Sequence, residues 1–127
     1  MNQSEWHEQV DFSALFFKAT MWCRTQEANG DLMAWKSALE SKITLVMGIF
    51  DKEEKEEVHY FKSLIYKAWS RYYNENRKLG EKNMNPLHPV CADFRNTLFL
   101  IESQIDTMVN KKMPFLNIKK KVDIRGL

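Results

Sequence analysis

Apolar residues recur every three or four positions along most of this chain, the repeat of an amphipathic helix rather than of a strand. A first block opens at Asn2, with Glu5 three residues on, the spacing of a capping box in which each side chain satisfies an orphan backbone N–H. It runs to about Ala28 and stops at Asn29-Gly30, where glycine takes the left-handed C′ conformation. Asn-Gly also suits a hairpin turn, but the flanking sequence repeats at three and four residues, so the helical reading wins. The second block takes Asp31 as N-cap and carries Leu32, Trp35, Leu39, Ile43, Val46 and Phe50 at spacings of 3, 4, 4, 3 and 4. Gly48 loosens its last turn.

Asp51 with Glu54 forms another capping box and predicts a third helix after a tight connection. Its early DKEEKEE and its later Lys62, Lys67, Arg71, Arg77 and Lys78 order the charges to suit the helix dipole. Val58, Phe61, Ile65, Ala68 and Tyr72 make its apolar stripe, and Gly80 is a natural stop. EKNMNPLHP follows as the one long loop. Pro89 then fits the first turn of a fourth helix, where its missing N–H costs nothing. Cys91, Phe94, Leu98, Ile101, Ile105 and Met108 step 3, 4, 3, 4 and 3 along it until Pro114.

These signals predict helices near 3–28, 31–49, 52–79 and 89–112. Blocks of about 20 to 28 residues would be matched rods of roughly 30–40 Å. Such rods with short connections pack as an antiparallel up-down-up-down four-helix bundle. The expected organisation is an all-α bundle over residues 1–113 and an extended basic C-terminal tail over 114–127. Leu39, Ile43, Phe61, Ile65, Leu98, Ile101 and Ile105 are the expected core.

Composition agrees with a packed domain. The 127 residues are 44% hydrophobic and include eight Phe, four Trp and four Tyr, too many for a disordered chain. No apolar run approaches the ~20 residues of a membrane span, and the N-terminal MNQSEWHEQVDF lacks the pattern of a signal peptide. Two cysteines cannot make a disulfide framework, which points to an intracellular protein, in the cytoplasm or in a particle assembled there. Charge is uneven. Residues 111–127 hold six Lys or Arg against Asp123, giving 6 − 1 = +5, so the other residues sum to 2 − 5 = −3. An acidic body carries a basic end.

Candidate chemistry is sparse. Glu56-x-x-His59 is half of a di-iron carboxylate motif, but the second Glu-x-x-His is missing from the sequence, and Glu56 lies in a solvated charge run. His88-x-x-Cys91 has ligand-like spacing without the four ligands that a structural zinc site requires, and Cys91 falls on the apolar seam as a small hydrophobe. Gly-rich phosphate loops, a nucleophile elbow and HExxH are missing too. The sequence supports no enzyme activity, cofactor, metal or small-molecule substrate.

Apolar surface is in excess instead. The first block carries Trp6, Val10, Phe17 and Met21 on one stripe, and Phe12, Phe16, Ala19 and Cys23 on another, with Leu15 and Trp22 besides. One face of about 100° is normal for a helix packed on one side. The third block adds Lys62, Tyr66, Trp69, Tyr73 and Arg77 beside its core stripe. These features predict a non-enzymatic protein that assembles with itself or with another protein, without a membrane. Its expected contacts are Leu15, Phe16 and Trp22, then Tyr66, Trp69, Tyr73 and Arg77, then Phe115, Ile118, Lys119, Lys120 and Lys121 in the tail. A short, motif-free bundle of this kind suits a structural or accessory subunit of a virus or mobile element. The alternative is RNA or single-stranded DNA binding, with bases stacked on the aromatic-basic face and phosphates held by the Lys-rich tail. For the tail, an extended strap laid on this bundle or on a neighbouring subunit ranks first, addition to a partner's sheet edge second, and a free nucleic-acid arm third.

Overall fold

The structure, a computed structural model, describes residues 3–79 and 85–114, and within the first helix it describes side chains from residue 11 onward. Among the described residues four helices make up an all-α bundle: α1 (Gln3–Asn29), α2 (Leu32–Val46), α3 (Lys52–Leu79) and α4 (Pro89–Lys112). No described helix is long and apolar enough to cross a membrane.

Local chemistry fixes the ends. Gly30 closes α1 at φ 72°, donating to the Glu27 carbonyl while Asp31 N–H reaches the Gln26 carbonyl, the paired bonds of a Schellman stop. Asp31 then caps α2 by accepting from Ala34 N–H at 3.0 Å. At α3, Asp51 Oδ1 accepts from Glu54 N–H at 2.9 Å and Glu54 Oε1 accepts from Asp51 N–H at 2.8 Å, so the capping box is reciprocal. Pro89 sits in the first turn of α4, and His88 Nδ1 accepts from Val90 N–H as its cap. The Asn2–Glu5 box predicted for α1 rests on Asn2 and on the Glu5 side chain, both outside what the structure describes.

α2 corrects one expectation. It has 15 residues, and the chain turns through Met47 to Ile49 instead of extending the helix to residue 49. The rods are therefore unequal: α2 spans roughly 22 Å beside roughly 40 Å for α1. Phe50 still completes the apolar stripe, because the turn folds it back into the core.

α1 packs on α2 and α3 on α4, and contacts of α2 with α4 join the two hairpins. All seven expected core residues are buried, as is the whole α4 seam from Cys91 to Met108. From α1 the core takes Phe12, Phe16 and Cys23, with the Phe12 and Phe16 rings stacked at 5.6 Å. The hairpin ends are tied by Lys112 of α4, whose Nζ lies 2.6 Å from Glu54 Oε1 and 3.9 Å from Asp51 Oδ2. Glu54's hydrogen bond is the main cause of a raised Lys112 pKa, so the ammonium persists above its usual range.

Candidate functional site

At the α2–α4 junction lies a feature that the periodicity did not announce. Lys42 of α2 is wholly enclosed. Its Nζ stands 3.0 Å from Glu102 Oε2 and 2.7 Å from Asp106 Oδ1, two carboxylates one helical turn apart on α4. Trp35 Nε1 donates to Glu102 Oε1 at 3.3 Å. From α1, the Phe16 ring covers the ammonium with its centroid 4.9 Å from Nζ. Burial alone would depress the Lys42 pKa, but Asp106 and Glu102 together outweigh it and raise the value above 10.5.

Enclosed in the core, the cluster links α2 to α4. Isolated in an apolar core, each ion would cost several kcal/mol of desolvation, and mutual pairing recovers that cost only while every member keeps its partner. A faint signal does exist in the sequence. Lys42 interrupts the apolar positions of the second block, and Glu102 and Asp106 each follow a seam residue, Ile101 and Ile105.

Phe16 therefore corrects the expected contact set. It is 3% exposed, because its ring faces Lys42 and Phe12 rather than a partner. The outer face of α1 belongs to Leu15, Phe17, Met21 and Trp22, exposed at 52%, 65%, 42% and 43%. Sequence reasoning placed Phe17 and Met21 on an apolar stripe without selecting them as contacts; the helix register sets them on one flank of the outer surface and Leu15 and Trp22 on the other, with Lys18 between.

On α3 the rings of the predicted aromatic-basic stripe meet in succession, Tyr66 tilted against Trp69 and Trp69 stacked on Tyr73. Tyr66 and Trp69 rings lie 5.8 Å apart, Trp69 and Tyr73 rings 5.4 Å apart. Lys36 of α2 sits 5.3 Å from the Trp69 ring centre, and Arg77 5.8 Å from that of Tyr73. Trp69 is half-buried against the core, whereas Tyr66 and Tyr73 are exposed. Beside the stack, a groove of about 740 Å³ opens at the α1–α2 turn, lined by Trp69, Tyr73, Asp31, Asn76 and Arg95 among others.

His88 and Cys91 are not brought together as ligands. His88 caps α4, and Cys91 is a buried thiol whose pKa is pushed up by burial and partly drawn back by Arg95. No disulfide joins Cys23 and Cys91. Glu56 and His59 are exposed on α3, and among the described residues no group of three or more His, Cys, Asp or Glu side chains is placed to hold a metal ion. Phe115, Ile118, Lys119, Lys120 and Lys121 lie outside the described residues. No family model, curated protein or solved structure matches this chain.

Proposed function

We propose that this chain is a non-enzymatic assembly protein whose outer α1 face seats another protein chain, in the first place a second copy of the same bundle. One observation carries the reading: Leu15, Phe17, Met21 and Trp22 are exposed within about two turns of one helix. Large apolar patches on isolated soluble chains mark contact surfaces, and aromatic and Met side chains are the types enriched in interface cores. Lys18 lies between the Phe17–Met21 and Leu15–Trp22 pairs and is exposed, its long apolar stem able to cover neighbouring apolar surface while its ammonium stays in water. An accessory or structural subunit fits this picture in size and in its lack of catalytic motifs.

Light scattering at two protein concentrations tests it. The 15.1 kDa chain should give a larger particle whose mass falls on dilution, and Phe17→Ser with Trp22→Ser should return the monomer mass at unchanged helicity. A monomer at every concentration would refute self-assembly.

A second reading rests on the α3 stack. Exposed Tyr66 and Tyr73 with Arg77 beside them present π-faces and a cation in the combination that binds unpaired bases. Against it, Lys36 and Arg77 already cover ring faces within the chain. If nucleic acid is the partner, affinity should fall steeply with salt through counterion release, whereas apolar assembly should hold or strengthen in sulfate.

A further inference from the structure

The principal helix contacts run in the order α1–α2–α4–α3, which leaves α1 at one edge of the bundle among the described residues. Its one main neighbour, α2, has 15 residues to its 27. The surface left open carries charge as well as apolar side chains. Asp11, Ala14, Lys18 and Thr25 follow at steps of 3, 4 and 7 down its middle, and all four are exposed. Leu15 and Trp22 line one flank, Phe17 and Met21 the other. Asp11 and Lys18 are opposite charges about two turns apart. Neither has an ion-pair partner among the described residues.

We propose that α1 pairs antiparallel with α1 of a second copy, across a two-fold axis at positions 14–15, so that Asp11 of each chain meets Lys18 of the other. The inference rests on the self-assembly reading above, and it names the element that the second copy presents and its direction. Charge chooses that direction. In the antiparallel pair position 11 lies opposite position 18 of the partner, an attraction made twice by symmetry. Two parallel helices in register would set Asp11 against Asp11 and Lys18 against Lys18, two repulsions beside the same apolar flanks. The small Ala14 at the axis lets the helices approach closely, and each apolar flank runs along the same flank of the partner. Because the axis lies near the middle of α1, positions 3 to 26 overlap over roughly 35 Å. Trp22 falls inside that overlap. Burial of the flanks supplies the attraction, and the charge pairs fix register and orientation. Such a contact uses the same face on both chains, so assembly closes at two. An α1 docked on a different face of the next copy would leave a face open and add chains indefinitely.

Charge exchange in the full chain tests the direction. Asp11→Lys and Lys18→Asp each turn both attractions into repulsions. Each should weaken the dimer about tenfold or more, read by sedimentation across a dilution series. Asp11→Lys combined with Lys18→Asp remakes both attractions and should return the parent's dissociation constant. Helicity should be the same in all four proteins, because both positions are exposed. A spin label at Ala28→Cys, just outside the overlap, should report roughly 40 Å between the two chains, with the buried Cys23 and Cys91 left unlabelled. A parallel pair would hold those labels within about 20 Å. A parent that stays monomeric at every concentration overturns the self-assembly reading and this geometry with it. A parent that associates overturns the geometry alone in any of four ways: the single exchanges leave it unmoved, the double exchange fails to restore it, the labels lie close, or the particle grows past two chains.

Discussion

The two faces of α1 are built from the same residue types and have opposite fates. Phe16 and Phe17 are neighbours in sequence, yet one is sealed over Lys42 and the other stands in solvent. Inside, Phe12, Phe16, Thr20 and Cys23 are buried; outside, Leu15, Phe17, Met21 and Trp22 are exposed. Hydrophobicity alone does not choose between two such stripes. The choice falls to the stripe whose shape and polarity complete what the partner helix presents, and α2 presents an ammonium that a π-face can cover.

The largest effect should come from Phe16→Ala, which removes a buried ring and the cover of a buried cation. A loss of about 3–5 kcal/mol in urea unfolding is expected. A loss below half a kcal/mol would mean that the other stripe packs in solution. Ile101→Ala, on the α4 seam, should cost about 2–5 kcal/mol by lost burial and a cavity and serves as the apolar counterpart to Phe16. Next comes the capping box: Asp51→Ala should cost about 1 kcal/mol, read from the same unfolding curves. Phe17→Ala should be smallest for the isolated chain, within about 0.5 kcal/mol, although it should weaken association.

The inner region can also be examined from the alkaline side. Lys42 has a folded pKa raised above 10.5, so its contribution is fully present below that value and is lost as pH rises through the higher folded value. Stability to urea should therefore decline above pH 10.5 in the parent and not through this group in Lys42→Met.

Periodicity made the apolar scaffold legible. The α4 seam was readable because six residues kept a helical step, the caps at Asp31 and Asp51 because their bonds are local, and the start of α4 because Pro89 suits a first turn. Glu102 and Asp106 were not, since each is adjacent to a seam residue and a carboxylate beside a seam normally faces water. What buries them is Lys42, 60 residues away from Glu102, and no local rule contains that pairing. Phe16 was misplaced for the same reason. The shortened α2 ends in a turn in which Gly48 and Ile49 N–H donate to the Leu45 and Val46 carbonyls, just ahead of the Asp51 cap. The acidic start of α3 holds Lys112 from the last turn of α4.

The outer face of α1 carries the proposed function, and Trp22 reports on it directly. The chain has four tryptophans, so fluorotryptophan labelling with single Trp→Phe variants assigns each resonance. A soluble nitroxide then reads which indoles meet solvent. Trp35, in the core, should resist broadening under all conditions. If α1 seats a second copy, Trp22 should be protected at high protein concentration, although 43% of it is exposed in the isolated chain. It should become accessible on dilution or in Phe17→Ser. Trp22 broadened fully at every concentration, in parent and variant alike, would contradict the assembly account.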